Sequence, residues 1–195
     1  MNNSKRQIQK EQTRDLLIES AITCFGKDGL LNAKTSDIAK LAGVAHGTVF
    51  VHFPTRDDLV SGAIHKVGRR VTEKIHELAE DGHSVREILE VHLKGLAETE
   101  DFYARLVTEG LSLGETAQNA LIMVQSAISF HLMQAVEREK SHGTIREMPS
   151  HLLFNTWVGL IHYYLTNKKW FAPGESVLSR YGLELINHFL FLIKL

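Results

Sequence analysis

The sequence predicts an all-α protein with a small amino-terminal helical head and a larger helical body. Apolar residues recur at intervals of three and four along most of the chain, which is the spacing that gives a helix one apolar face. The three prolines fall at proposed helix boundaries, where helices tolerate them. Hydrophobic residues make up 44% of the 195 residues, enough for a packed core.

The head, residues 1–56, is predicted to begin with an amphipathic helix over residues 13–27. Its apolar face carries Leu17, Ala21, Cys24 and Phe25. We expect Cys24 to be a buried structural thiol, since it lies on that face. The polar residues before this helix, 1–12, have no apolar period and are expected to form a frayed arm.

The stretch from Thr35 to Phe53 predicts two short helices around a tight turn, a helix-turn-helix. Gly43 ends the first helix, because glycine adopts the left-handed backbone that a sharp turn needs. In the second helix, residues 46–52, Val49 and Phe53 would hold one side on the core. An ordinary helical hairpin is the alternative interpretation of this pattern alone.

The other side of the second short helix is predicted to be a shallow, exposed face. A glycine there permits close approach, and a helix of this width fits the major groove of DNA. The residues expected on this face are His46, Gly47, Thr48, Phe50 and His52.

The run from Ile38 to Leu59, IAKLAGVAHGTVFVHFPTRDDL, resembles the signature of the tetracycline repressor family of bacterial regulators. Ala45 replaces the serine usual at the start of the recognition helix, which forfeits a side-chain cap worth about 0.5–2 kcal/mol. Phe50 replaces a tyrosine whose hydroxyl usually reaches a phosphate. The positions that match in type and spacing are Ala39, Ala42, Gly43, Val44, Gly47, Thr48, Phe53, Arg56 and Leu59.

This resemblance implies that the chain binds double-stranded DNA, with some residues contacting the bases and others the DNA backbone. Base reading is expected from His46, Gly47, Thr48 and His52. Contacts to the DNA backbone are expected from Thr35, Ser36, Thr48, Phe50 and Arg56. Charge is consistent with such a partner, since residues 1–56 carry a net charge of +3 and residues 57–195 a net charge of −4.

The body, residues 57–195, is predicted to begin within a helix that crosses the boundary and to hold five more. The first runs from Thr55 to about Ala79, and the others cover residues 84–98, 101–111, 116–140, 149–169 and 176–193. The helix over residues 116–140 is apolar on nearly every side, so we expect it to be the buried central helix of the body.

The last two helices carry more apolar surface than one core needs. Burial against a second copy explains it, and the resemblance implies a homodimer joined through a four-helix bundle. The alternative is that both faces serve the chain's own core. The residues assigned to the dimer interface are Trp157, Ile161, Leu178, Leu185, Phe189 and Leu192.

Polar residues interrupt otherwise apolar body helices, which is typical of a small-molecule cavity with a few hydrogen-bonding groups. Ordinary core residues with satisfied hydrogen bonds are the alternative. The pocket residues we expect are Phe102, Tyr103, Met123, Phe130, Trp157 and His162.

The sequence gives no sign of catalysis or of a cofactor. It has no phosphate-binding glycine loop, no HExxH, no CxxC and no Gly-x-Ser-x-Gly. Eleven histidines are scattered over different helices without a convincing ligand set, so no metal site is predicted; metal sensing is the alternative. With one cysteine, no signal segment and no run of 18 apolar residues, we expect a soluble cytoplasmic protein without a membrane partner.

Together these features predict a DNA-binding transcription repressor. It would bind a palindromic operator as a homodimer and be released by a small molecule of unknown identity. A helical carrier or enzyme that uses the same cavity without DNA is an alternative, as is a regulator controlled by a partner protein.

Overall fold

The computed structural model describes residues 2–195, with side chains from residue 5 onward. The described chain is helical throughout apart from its connections and one isolated bridge between Ile145 and Lys194. This confirms the predicted all-α class. The helices are α1 (Asn2–Asp28), α2 (Thr35–Leu41), α3 (His46–His52), α4 (Arg56–Glu80), α5 (Val85–Ala97), α6 (Glu100–Glu109), α7 (Glu115–Ser141), α8 (Ser150–Thr166), α9 (Lys168–Phe171) and α10 (Val177–Ile193), with a 3₁₀ turn at Gly110–Ser112 after α6.

Helix α1 is longer than the sequence predicted, because the segment expected to be a frayed arm continues the helix to Asn2. Its buried side, which includes Leu17, Ala21 and Phe25, lies in the second half of the helix. The first half is exposed from residue 5 to 12. The apolar spacing in the sequence therefore identified only the second half of α1, which packs on the core.

The chain forms two compact units, residues 1–67 with 101–121 and residues 68–100 with 122–195. The division differs from the predicted boundary between residues 56 and 57, because α6 packs with the head. In the first unit Phe102 of α6 stacks on Phe25 of α1, with ring centroids 6.4 Å apart. A Cβ at Gly26 would lie only 3.1 Å from the backbone nitrogen of Phe102, so glycine permits this close approach.

The second unit packs α5, α8 and α10 around Trp157 and Phe189, which are both fully buried. Their ring centroids lie 5.3 Å apart. Gly182 of α10 lets α5 come close, since a Cβ there would lie 3.1 Å from Leu93 Cδ1. The buried carboxylate of Glu100 fixes the start of α10 in this unit by accepting hydrogen bonds from the backbone N–H groups of Val177 and Leu178.

Helix α7 is not buried on all sides as the sequence predicted. Ile128, Leu132 and Val136 are buried, whereas Met123 and Phe130 are 64% and 61% exposed. Composition alone cannot distinguish an apolar side that this chain covers from one that it leaves open. Among the described residues α7 is also the one helix long and apolar enough to cross a membrane, with a mean hydropathy of 1.2 over 18 residues. A single helix of this kind is weak evidence for a membrane span.

Candidate functional site

The turn between α2 and α3 has the geometry of a glycine-ended helix. Gly43 adopts a φ of +69°, its N–H donates to Lys40 O at 3.2 Å, and the N–H of Val44 donates to Ala39 O at 3.0 Å. These two bonds satisfy carbonyls that the end of α2 would otherwise leave without partners. Ile38 and Ala39 of α2 are buried, whereas Leu41 is 56% exposed.

Helix α3 has one buried side and one open side. Val49 and Phe53 are buried, as predicted. His46, Gly47 and Phe50 are exposed on the open side. A Cβ added at Gly47 would meet no atom within 4 Å, so the glycine has no packing role inside the protein.

A side-chain contact between α2 and α3 fixes the start of α3. Thr35 Oγ1 lies 2.9 Å from His46 Nε2, and the His46 and Phe50 rings form a T-shaped contact with a centroid distance of 5.3 Å. Neither Lys34 nor Ala45, the residues at the N-cap positions of α2 and α3, makes a side-chain cap hydrogen bond. The Thr35 to His46 contact therefore links the two helices where a side-chain cap is missing.

The remaining residues expected at the DNA surface differ in accessibility. Ser36 is exposed and Thr48 is half-buried. Ser36 lies in α2 and Thr48 in α3. Their expected contacts with DNA stay predictions.

His52 lies away from the open side of α3. It is half-buried, and its Nδ1 has no hydrogen-bond partner among the described residues. Burial lowers the pKa of His52, and the positive charges of Lys10 and Arg14 on α1 lower it further. Six residues after His46 on a helix, His52 is turned about 120° from it, which places it toward α1. The assignment of His52 to base reading stays a prediction, as does that of Thr48, which lies one turn earlier on the same side of α3.

Arg56 holds the connection between α1 and α2. Its Nη1 donates to Leu30 O at 2.8 Å and its Nη2 donates to Ala33 O at 2.6 Å. Glu109 of α6 contacts the same connection, and its Oε2 accepts from the N–H groups of Leu30 and Leu31 at 2.8 and 3.2 Å. We call this arrangement the connection clamp. Arg56 thus supports the connection before α2, and its expected phosphate contact stays a prediction.

Sequence reasoning missed the clamp because its partners are distant in the chain. The carbonyls that Arg56 contacts lie 26 and 23 residues before it, and Glu109 lies 79 residues after Leu30. The only local signal was Arg105, which pairs with Glu109 at 3.3 Å across one helical turn. Such a pair usually indicates no more than an exposed helix face.

The Arg56→Gln variant separates bracing from phosphate contact. We expect weaker DNA binding, because α2 loses part of its support, but an unchanged slope of log affinity against log salt concentration. A lost phosphate contact would lower that slope by about one. Fluorescence anisotropy with a labelled DNA duplex at several salt concentrations measures both quantities. A slope lower by one would return Arg56 to the DNA surface.

The residues expected to form the ligand pocket are divided between the two compact units. Phe102 and Tyr103 are buried in the first compact unit, and the other four belong to the second. There Met123 and Phe130 are exposed and Trp157 is fully buried. None of the six lines the cavity of about 570 Å³ that the second unit contains. The prediction of this pocket rested on helix assignment and residue type. Neither determines the direction in which a side chain points.

Trp157 and His92 form a buried polar pair in the second unit. The Trp157 indole Nε1–H donates to His92 Nδ1 at 3.0 Å, so Nδ1 is the unprotonated nitrogen of a neutral ring. Burial lowers the pKa of His92 to about 4, and the nearby His162 contributes to the same shift. His162 itself is half-buried, and burial lowers its pKa. Trp157 and His162, which were both expected to bind a ligand, therefore lie near the buried His92.

This pair predicts a loss of stability in mild acid. Unfolded His92, with an ordinary pKa near 6.5, takes up a proton at pH 5, whereas folded His92 remains neutral. The unfolded state then binds more protons, and stability falls as pH drops from about 6.5 toward 4. We expect His92 to account for a loss on the order of 2 kcal/mol between pH 7 and pH 5.

Urea unfolding of the wild type and of His92→Gln at both pH values measures this effect. The glutamine retains an acceptor for the indole and does not titrate, so the loss between pH 7 and pH 5 should be smaller in this variant by about 2 kcal/mol, the share of His92. An equal loss in both proteins would assign the pH dependence to other groups.

Most residues assigned to the dimer interface lie inside this chain's own core. Leu192 alone is exposed, at 37%. The buried ones are Trp157, Ile161, Leu178, Leu185 and Phe189. These five cannot form a surface for a second copy, because α5, α8 and α10 bury them against one another. The open sides of α8 and α10 expose a different apolar set, which includes Leu152, Tyr163 and Leu183.

Among the described residues, no group of three or more histidine, cysteine, aspartate or glutamate side chains could hold a metal ion. Cys24 is buried, as predicted, and burial raises its thiol pKa.

Comparison with known proteins agrees with this geometry. The family described as bacterial regulatory proteins, tetR family, matches residues 17–63, which span the second half of α1 through the start of α4. Over these residues the chain resembles the tetR family. Its sequence-predicted resemblance is thereby confirmed, and the relatives found are transcription regulators, not enzymes.

Relatives and solved structures extend the likeness in different ways. A helix-turn-helix transcriptional repressor of Mycobacterium tuberculosis is 28% identical over 109 residues, which cover 56% of this chain and 54% of that protein. The chain thus matches about half the length of that relative. Two similar solved structures share the fold over almost the whole chain. A TetR-family regulator from Agrobacterium tumefaciens has a TM-score of 0.77 at 18% identity and covers 95% of this chain and 100% of its own. The regulator FadR from Bacillus subtilis, solved with stearoyl-CoA, has a TM-score of 0.74 at 18% identity. The match covers 90% of this chain and 96% of the FadR chain.

Proposed function

We propose that this protein is a DNA-binding transcription repressor of the tetR family, which a small molecule releases from its operator. The observation that carries the proposal is the open side of α3, where His46 and Phe50 flank a glycine that no other part of the protein requires. A side chain at that position would be tolerated by the free protein. Close approach to a partner surface such as the floor of the major groove explains the glycine.

Charge and relatives support the same partner. The head carries a net positive charge, which favours an approach to phosphates. One relative is named a transcriptional repressor, and FadR from Bacillus subtilis was solved with stearoyl-CoA. A repressor controlled by a small molecule, acting in the cytoplasm, is consistent with both.

A homodimer on a palindromic operator is the assembly we propose. The open sides of α8 and α10 expose Leu152, Tyr163 and Leu183, which is apolar surface that a second copy would bury. Gly159 of α8 has no neighbour within 4 Å of an added Cβ, so another helix could come close at that point. A two-fold axis at this surface would present two α3 helices, and two-fold symmetric proteins bind inverted repeats.

The connection clamp supplies a route by which the first unit could respond to a ligand. Glu109 and Arg105 of α6 contact the connection before α2, and Arg105 donates to Gly26 O and Lys27 O at the end of α1. A ligand that favours another position of α6 would shift these bonds and with them α2 and α3. Release of DNA requires that the ligand prefer the arrangement with lower DNA affinity.

Selection of genomic DNA tests this function. The purified full chain is mixed with fragmented DNA of its source genome at about 0.15 M salt, where nonspecific phosphate binding is screened, and retained fragments are sequenced. We expect enrichment of an inverted repeat whose half-sites lie about one helical turn, 10–10.5 base pairs, or a multiple of it apart. Enrichment of a single half-site would contradict the dimer. Folded protein that enriches no sequence would contradict repression of a specific operator and favour a carrier or enzyme.

A further inference from the structure

The second compact unit contains a cavity that the proposed DNA-binding function does not use. It lies where the end of α10 meets the connection between α7 and α8, and its volume is about 570 Å³, within the usual range for small-molecule sites. Its lining residues are Arg86, Arg146, Asn187, Leu190, Phe191, Leu192, Lys194 and Leu195.

Backbone bonds hold one wall of this cavity in place. Arg146 N–H donates to Ile193 O at 3.0 Å, and Leu195 N–H donates to Thr144 O at 3.2 Å. Ile145, between these bonds, is buried. These backbone bonds therefore tie the segment after α10 to the α7–α8 connection.

Three cationic side chains line the cavity, and no side-chain carboxylate does. Arg146 is oriented by two bonds to Lys194 O, from Nε at 3.1 Å and from Nη2 at 2.7 Å. Arg86 is oriented by Asn187 Oδ1 at 2.9 Å, with Glu90 3.7 Å from its Nη1. Arg146 and Lys194 have no carboxylate partner among the ion pairs of the described residues. The excess positive charge of the cavity is therefore on the Arg146 guanidinium, which two hydrogen bonds orient, and on the Lys194 ammonium.

The rest of the lining is apolar. Phe191 and Leu195 are strongly exposed, and Leu190 and Leu192 lie beside them. Exposed aromatic and aliphatic side chains next to fixed cations favour a ligand with two different ends.

We propose that this cavity binds a small molecule that carries an anionic head group, a carboxylate or a phosphate, on an aliphatic body. The head group lies against Arg86, Arg146 and Lys194, since guanidinium groups form paired hydrogen bonds with either anion. The aliphatic body covers Phe191 and Leu195.

The site is distinct from the six residues that the sequence assigned to ligand binding. Phe191 lies on the same side of α10 as Leu183, about 12 Å nearer the end of the helix. The proposal therefore requires that the dimer surface end before Phe191.

Calorimetric titration of the full chain with four ten-carbon probes tests the proposal. Decanoate and decyl phosphate carry the proposed anions, decanol is neutral, and decyltrimethylammonium is cationic. We expect one or both anions to bind measurably and the other two probes to bind at least about ten-fold more weakly. The tighter of the two anions identifies the head group. Absence of binding by both, or equal binding of decanol, would overturn the proposal.

Matched variants locate the site. In the double variant Arg86→Gln with Lys194→Gln, the affinity for the anion should fall about ten-fold. Lys169→Gln removes an exposed cation from α9, outside the cavity, and should have no effect. Phe191→Ala should weaken binding several-fold, whereas Phe130→Ala, at the exposed side of α7, should not. Loss of binding in Phe130→Ala with full binding in Phe191→Ala would overturn the location.

Discussion

Replacement of Glu100 by alanine is expected to lower the free energy of unfolding by about 3–5 kcal/mol, comparable to breaking a buried ion pair. The Glu100 side chain is 6% exposed. One carboxylate oxygen accepts from the Ser176 hydroxyl at 2.5 Å and from Leu178 N–H at 3.0 Å, and the other accepts from Val177 N–H at 3.1 Å. The Lys168 ammonium lies 3.4 Å away. Alanine would leave the first N–H groups of α10 buried without acceptors.

Chemical denaturation of the full chain measures the effect. Glu100→Gln keeps the size and one acceptor oxygen, so its loss should be smaller than that of Glu100→Ala. Glu184→Ala, at an exposed position of α10, should change stability by no more than about 0.5 kcal/mol. A similarly small change in Glu100→Ala would show that the start of α10 does not depend on this carboxylate.

The sequence predicted the helices well because their signals are local. Apolar spacing, the three prolines and Gly43 placed most helix boundaries within a few residues of those observed. Val49 and Phe53 are buried because their spacing repeats with the helix. The start of α1 was the exception, since residues 2–12 have no apolar period yet continue the helix.

The site residues were predicted less well because their roles depend on partners distant in the chain. Arg56 matched a family position, but two carbonyls more than 20 residues before it take up its guanidinium. Trp157 and Phe189 were assigned to a partner surface because their helices are apolar on several sides, and packing against α5 buries both. Periodicity identifies an apolar side, but it does not show which surface covers that side.

The residues on the open side of α3 remain the part of the prediction on which the function rests. Leucine at Gly47 should leave the free protein folded and on the order of 0.5–1 kcal/mol more stable, since an added Cβ meets no atom within 4 Å and leucine favours helices. On DNA the same side chain would occupy the space between α3 and the base edges. Affinity for the operator should then fall by at least about 100-fold, toward the level of nonspecific binding.

The most direct measurement is a titration of the selected operator with the wild type, Gly47→Leu and Asn119→Leu, alongside their unfolding curves. Asn119 is an exposed position of α7, so leucine there adds an apolar side chain away from α3. We expect Gly47→Leu to be folded and unable to bind the operator specifically, and Asn119→Leu to bind like the wild type. Operator affinity in Gly47→Leu equal to that of the wild type would contradict the claim that the open side of α3 reads DNA.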